Sequence, residues 1–220
     1  MRKASESFAG GKMQKAYKQY GQAAKAYELA PEAPRERWGL ALYTRAMFIL
    51  SGDASGHVES DLDEGDRLVA AEEFAGRDRF RGLFLFARSK WRRQHEDLEP
   101  AQEFLTAARA CLEESGGPID ALEIDREQAR LGVDRKEWDI AEAAARKSVD
   151  GSPDPRQSIE SRILLSEVFR SQERMGEVLA TLEAAASLAF DTEHKEQLWD
   201  LKDRIAILKR NHPELETKEP

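Results

Sequence analysis

Apolar residues recur along most of the chain at three- and four-residue steps, as they do on one face of an α-helix. The clearest example lies in residues 159–189, where two apolar runs are separated by a polar segment. The runs consist of Leu165, Ser166 and Phe169, followed by Met175, Val178, Leu182 and Ala185. This spacing predicts two short amphipathic helices joined by a tight turn, each burying one stripe against the other.

The same spacing recurs in three places. In each, a small residue is followed by a large residue 9 positions later and by further, mostly small, residues 12, 16 and 19 positions later. The three series are Ser166, Met175, Val178, Leu182, Ala185; Ala129, Trp138, Ala141, Ala145, Ser148; and Gly11, Tyr20, Ala23, Tyr27, Ala30. Small residues allow two helices to cross closely, and the bulky second residue, such as Trp138, is predicted to be buried at that crossing.

Repeat spacing and proline positions together predict about five helical hairpins and a terminal helix. The predicted units are 1–34, 35–76, 77–117, 118–153 and 154–190, followed by a capping helix at 192–210 and a disordered tail at 212–220. All eight prolines fall between predicted helices or after the last one, where a missing N–H costs little. No strand-like alternation of useful length occurs. The fold class is therefore predicted to be all-α, in one elongated domain whose first helix contains Gly10 and Gly11.

This order of residues resembles the tetratricopeptide repeat (TPR) family. The family places Trp, Leu, Gly and Tyr in a first helix, then Ala, Phe, Ala and a closing Pro in a second. The matching residues are Leu165, Ser166 and Phe169 for the first helix, and Ala141, Ala145, Ser148 and Pro153 for the second. The resemblance implies a right-handed superhelix (solenoid) whose first helices line a concave, peptide-binding groove. A related helical-hairpin solenoid is the alternative, because the pitch of about 37 to 42 residues exceeds the family's 34.

Composition narrows the classes of function. The chain has 220 residues, a net charge of -8 and a pI near 5.2, which argues against a nucleic-acid partner. No apolar run is long enough to cross a bilayer, so no membrane partner is expected. The single cysteine, Cys111, excludes an internal disulfide and favours a reducing compartment. A cytoplasmic location is the expectation.

No sequence motif indicates catalysis, a cofactor or a bound metal ion. The four histidines are scattered along the chain and none lies beside Cys111, so a zinc site is not expected. Residues 61–66, Asp-Leu-Asp-Glu-Gly-Asp, half resemble a calcium loop, but their glycine is one place early and the segment is predicted to be helical. The protein is therefore predicted not to be an enzyme and to need no cofactor.

One group of side chains does indicate a ligand, and it is basic. Residues 77–93 carry seven basic side chains against one acid, Asp78, and one helical stripe contains Arg77, Arg81, Arg88 and Arg92. When the units are matched as the TPR resemblance implies, seven residues face one groove: Tyr43, Arg81, Leu85, Arg88, Arg126, Arg130 and Arg170.

Arginine binds carboxylates through two parallel hydrogen bonds, so the resemblance implies that the groove holds an acidic or C-terminal peptide. The alternative is that acids near the same surface neutralise these arginines in internal pairs. The candidate acids are Glu36, Asp78, Glu123, Glu160 and Glu167.

Three classes of function follow from these patterns. The leading one is a non-enzymatic scaffold or adaptor that binds a peptide segment of another protein in its groove. The second is a structural subunit that self-associates through Trp38, Met47 or the capping helix, so the oligomeric state stays open. The third is an enzyme or nucleic-acid binder, which only the arginine stripe supports.

Overall fold

A computed structural model of the chain describes residues 1–9, 11–30, 34–54, 56–71, 73–116 and 118–215. Within these residues the chain forms eleven α-helices, one 3-10 turn and no strand, which confirms the all-α prediction. The chain divides into two compact units, Met1–Gly116 and Gly117–Pro220. The sequence pattern predicts instead a single elongated domain.

The first compact unit contains six helices. They are α1 (Arg2–Ala9), α2 (Met13–Glu28), α3 (Arg35–Leu50), α4 (Val58–Ala71), α5 (Arg77–Gln94) and α6 (Leu98–Ser115). Each helix packs on the next one in the chain, and α3 also contacts α5. The ring of Phe84 lies directly on Gly65, where a β carbon would overlap it. Because α4 has no side chain at this point, α4 and α5 approach closely around a fully buried aromatic ring.

The second compact unit contains five helices and the 3-10 turn. They are α7 (Pro118–Asp134), α8 (Trp138–Asp150), α9 (Pro155–Ser171), α10 (Met175–Asp191), α11 (Lys195–Asn211) and the turn Pro213–Leu215. Consecutive helices pack on each other, and α7 also contacts α9. A β carbon at Gly132 would lie 2.9 Å from the backbone nitrogen of Ala141. The closest approach of α7 and α8 therefore depends on a glycine that the sequence analysis did not single out.

Two of the three predicted residue series are buried as expected, apart from their bulky second members. Ala129, Ala141 and Ala145 have no exposed surface, and the same holds for Leu182 and Ala185. In contrast, Trp138 and Met175 are only half-buried, because each is the first residue of its helix and lies beside the turn. The prediction that Trp138 is buried at the helix crossing is therefore wrong.

The N-terminal series is shifted relative to its prediction. Gly11 lies in the turn before α2 with φ of 69°, so it is not inside a first helix, and Gly10 lies outside the described residues. Tyr20 is buried as predicted, but its buried neighbour on the core face is Ala24, while Ala23 is half-buried. The predicted positions therefore miss the core face of α2 by one residue.

The terminal helix packs as predicted. Leu201 and Leu208 of α11 belong to the same buried cluster as the α9 and α10 residues, and Leu198 and Ile205 pack against it. The predicted tail disorder is wrong for Pro213–Leu215, which form the 3-10 turn and contact α10 and α11. Residues 216–220 lie outside the described residues.

One turn structure joins the helices at four places. Each linker has three residues, and its middle residue has a left-handed backbone: Glu96, Lys136, Glu173 and Glu193, with φ of 61°, 58°, 59° and 59°. The third residue of each linker donates its N–H to the carbonyl five positions back, at 2.8 to 3.0 Å. This is the Schellman arrangement, in which glycine normally occupies the left-handed position. None of the four residues is glycine, so sequence patterns did not reveal this repeat.

We expect Glu173→Gly to raise the free energy of unfolding by about 0.5 kcal/mol, because glycine adopts positive φ without the β-carbon clash. The matched control is Ala184→Gly, at an exposed position inside α10, which should lower it by about 1 kcal/mol. Urea denaturation of both variants would measure the difference. Equal destabilisation by the two substitutions would contradict the assigned turn.

Candidate functional site

The arginine stripe on α5 lines a groove of about 450 Å³ that lies over α5, between α4 and α6. We call it the α5 groove; its wall residues include Val69, Ala70, Arg81, Leu85, Arg88 and Phe104. Three of the predicted site residues, Arg81, Leu85 and Arg88, are therefore brought together. The prediction placed them on a surface of first helices only. The observed groove also has apolar walls from the second helices, with Val69 on α4 and Phe104 on α6.

Arg88 is engaged inside the protein. Its Nε donates to Asp66 Oδ2 at 2.7 Å and its Nη2 donates to Asp63 Oδ1 at 2.7 Å, and the side chain is only 14% exposed. Both carboxylates belong to α4, so this arginine ties α5 to α4. The predicted role of Arg88 as a free carboxylate receptor is therefore not supported, because its Nε and Nη2 already donate to Asp66 and Asp63.

Arg81 differs from Arg88 in this respect. It is exposed, and within the described residues it forms no hydrogen bond or ion pair. Arg77, at the end of the groove, donates to the carbonyl of Val69 at 2.6 Å and pairs with the exposed Glu73. The α5 groove thus combines the unpaired guanidinium of Arg81 with apolar walls from α4 and α6.

Arg126, another predicted site residue, is buried in the second compact unit. Its side chain is 6% exposed, with Nη1 donating to Glu123 at 2.7 Å and Nη2 donating to the carbonyl of Gln157 at 2.6 Å. Ser161 Oγ accepts a further bond from Nε at 3.1 Å. Arg126 therefore joins α7 to α9 and is not available to a ligand, which corrects the prediction.

The remaining predicted residues lie apart from this groove. Arg130 is 37% exposed and lies 3.6 Å from the buried Glu127. Tyr43 is half-buried, with its ring edge-on to Phe84 at 6.3 Å between centroids. Arg170 is exposed and lines a separate cavity of about 310 Å³ formed by α9, α10 and α11. None of these three residues therefore lines the α5 groove.

A second groove in the first unit lies over α3, between α2 and α4, with a volume of about 380 Å³. We call it the α3 groove; its wall residues include Ala24, Trp38, Leu42, Arg45, Asp61 and Glu64. Arg45 pairs with Asp61, at 3.2 Å from Nη1 to Oδ1. The Arg45 guanidinium also stacks on Tyr17, whose ring centroid lies 5.1 Å away. The sequence patterns named Trp38 only as a possible self-association contact, and Asp61 and Glu64 only as part of the calcium-like segment.

Asp61 is the most unusual group in this groove, because its side chain is only 4% exposed. Its Oδ2 has no hydrogen-bond partner among the described residues, and neither does Arg45 Nε. Burial raises the pKa of Asp61 to about 6, although the charge of Arg45 opposes this shift; Glu64 adds to it. A carboxyl group with this pKa changes its charge near physiological pH.

The two grooves are related by an internal repeat that the sequence analysis missed. Residues 39–46 read Gly-Leu-Ala-Leu-Tyr-Thr-Arg-Ala, and residues 82–89 read Gly-Leu-Phe-Leu-Phe-Ala-Arg-Ser, 43 positions later. The same step relates the groove pairs Trp38 and Arg81, Leu42 and Leu85, Arg45 and Arg88, and Asp61 and Phe104. Direct comparison of α3 with α5 would have found this repeat, since the motif contains no gap.

The segment that half resembles a calcium loop, residues 61–66, is an ordinary part of α4. Its aspartates Asp61, Asp63 and Asp66 pair with arginines of α3 and α5. Among the described residues no group of three His, Cys, Asp or Glu side chains is arranged to hold a metal ion.

Comparisons with known proteins leave the family open. No family model matches the chain, and no curated protein or solved structure shows significant similarity to it. The TPR resemblance therefore stays a hypothesis that depends on the residues quoted above. In the part of the chain that the structure describes, no helix combines the length and apolar character needed to span a bilayer.

The raised pKa of Asp61 predicts how the free energy of unfolding changes with pH. The folded state holds a proton between about pH 4 and 6 that the unfolded state releases, so the contribution of Asp61 to stability decreases as pH rises through this window. Relative to that of Asp61→Asn, the free energy of unfolding of the wild type should fall by up to about 3 kcal/mol between pH 4 and 7.

Chemical denaturation of both proteins across this pH range would measure the effect. Asp139→Asn, at an exposed position of α8, is the matched control and should show no such trend. A pH-independent difference between wild type and Asp61→Asn would contradict the assignment.

Proposed function

We propose that this protein is a non-enzymatic adaptor, built from TPR-like helical hairpins, that binds an acidic peptide segment of another protein in the α5 groove. In this proposal the hairpins wind into a right-handed superhelix and the protein works in the cytoplasm. The observation that carries the proposal is the guanidinium of Arg81, unpaired among the described residues, beside the apolar walls of the groove.

The composition of the α5 groove suits an acidic, partly apolar peptide. Val69, Leu85 and Phe104 offer contact to an aliphatic or aromatic side chain. Arg81 has its donors available, and a charge-assisted bond between arginine and a carboxylate is among the stronger hydrogen bonds in proteins. A basic peptide would be repelled by Arg81, whose charge is not paired with an acid among the described residues, so the groove discriminates by charge.

The groove is also elongated in the way a peptide site requires. The wall residues Arg77, Arg81, Leu85 and Arg88 follow one stripe along α5. Eleven residue steps of an α-helix cover about 16 Å, the length of roughly five extended peptide residues. A short linear segment therefore matches the groove better than a compact metabolite does.

The test is binding of fluorescent peptides that contain Glu or Asp beside Leu or Phe, each compared with its Gln or Asn counterpart. Arg81→Ala should weaken the acidic peptides roughly tenfold without changing stability, because the side chain is exposed. Binding should also weaken as salt is added.

Two control variants separate binding from folding. Arg210→Ala, at an exposed position of α11 in the second unit, should leave binding unchanged. Arg88→Ala should instead destabilise the fold, since it removes a largely buried side chain that ties α5 to Asp63 and Asp66 of α4. Acidic peptides that bind no better than their amide counterparts, or that tolerate Arg81→Ala, would contradict the proposal.

The second candidate function is self-association, and exposed apolar residues at the end of the second unit favour it. Trp199 is 71% exposed and Ile207 is 54% exposed, both on α11, and Phe190 at the end of α10 is 69% exposed. Large exposed aromatic residues are enriched at protein interfaces. Sedimentation at increasing concentration should then show a rising mass that Trp199→Ser reverses, whereas a constant monomer mass would exclude this candidate.

A further inference from the structure

The α3 groove contains a buried carboxylate with one unsatisfied oxygen, which is uncommon in folded proteins. The Asp61 side chain forms part of the cavity wall, yet its Oδ2 has no partner among the described residues. Buried carboxylate oxygens are normally hydrogen-bonded, because an unmet acceptor loses its hydration without compensation. The ion pair with Arg45, at 3.2 Å from Nη1 to Oδ1, engages one carboxylate oxygen and leaves Oδ2 without a partner.

The charges around this cavity favour a cation. Acidic side chains come from α2 and α4, as Glu28, Asp61 and Glu64, against Lys25 and Arg45 from α2 and α3. An anion would meet three carboxylates, and an apolar ligand would leave Asp61 Oδ2 unpaired. A cation supplies the missing donor and also balances the remaining negative charge.

The aromatic and aliphatic residues of the cavity wall indicate what the uncharged part of the ligand would be. Trp38 and Leu42 line the cavity on α3, and Ala24 lines it on α2. An indole attracts cations to its face, and Arg35 shows this already, since its guanidinium carbon lies 5.3 Å from the Trp38 ring centroid. A group that joins a cationic head to a short alkyl stem would match both parts of the wall.

The internal repeat provides a comparison within the same chain. At equivalent positions the α3 groove has Trp38 and Asp61, while the α5 groove has Arg81 and Phe104. Each groove therefore pairs one aromatic with one charged residue, but the charge has the opposite sign.

From these observations we propose that the α3 groove binds the ammonium or guanidinium head of a basic alkyl group, with Asp61 as the charge partner and Trp38 as the aromatic wall. The head belongs either to a lysine or arginine side chain or to a free alkylamine. This site is separate from the α5 groove and does not depend on the function proposed there.

The test uses n-butylammonium and agmatine as probes, titrated to about 50 mM at constant ionic strength while the amide and indole N–H signals are followed by NMR. Saturable shifts at Trp38, Leu42 and Ala24 are expected, with sodium acetate as the anionic control. Asp61→Asn should weaken binding at least roughly tenfold, since it removes the charge but keeps the shape. Trp38→Leu should weaken it roughly threefold.

Asp66→Asn is the matched control, because it removes an arginine-paired α4 carboxylate from the other groove. It should leave the affinity for both probes unchanged. Lys25 and Glu28 from α2, Arg45 from α3 and Glu64 from α4 also face this cavity. Since burial raises the pKa of Asp61 to about 6, binding should weaken between about pH 7.5 and 5.

Peptides then distinguish the two sources of the cation. A lysine or arginine peptide that binds at least roughly tenfold more tightly than the free probes identifies a protein partner, and equal affinity identifies a free amine. Either result supports the site. Absence of saturable shifts, or equal affinity for Asp61→Asn and wild type when both remain folded by circular dichroism, would overturn it.

Discussion

The structure depends on close packing of each helix against its neighbours in the chain. A single amphipathic helix cannot bury its apolar stripe alone, so every helix needs a partner that approaches closely. Small residues make this approach possible: Phe84 lies on Gly65, and Gly132 lies against the backbone of Ala141. A side chain at either glycine would separate the helices and expose apolar surface that no other part of the unit covers.

Charged residues then determine which surfaces remain available to a ligand. Helix α4 provides carboxylates on two sides, so that Asp61 meets Arg45 of α3 while Asp63 and Asp66 meet Arg88 of α5. Buried or half-buried charges need such partners, because desolvation is costly without them. What is left over after this pairing includes the Arg81 guanidinium, which has no partner among the described residues, and Asp61 Oδ2, one of several buried side-chain atoms that lack one. Each proposed site uses one of these two groups, which have no hydrogen-bond partner within the described part of the protein.

The candidate site was only partly predictable from the sequence. Helical periodicity correctly placed Arg81, Leu85 and Arg88 on one stripe, since the face of a helix follows from spacing alone. Periodicity carries no information about which acid stands opposite, and Arg88 meets Asp63 from 25 positions earlier while Arg126 meets Ser161 from 35 positions later. Whether an arginine is free or paired therefore could not be inferred. Asp61 was recognised only as part of a calcium-like segment, because its burial depends on α2 and α3.

The apolar spacing by itself specified an all-helical chain and the packing stripe of the terminal helix, because these features follow from residues close together in sequence. The left-handed turn residues could not be predicted from the sequence, because glycine is the usual signal for such a position. The residues found there are Glu96, Lys136, Glu173 and Glu193. Tertiary packing decided the division into two compact units, the burial of Arg126 and Asp61, and the two grooves. Each of these depends on which side chains distant helices place next to one another, and that depends on the assembled packing rather than on local sequence spacing.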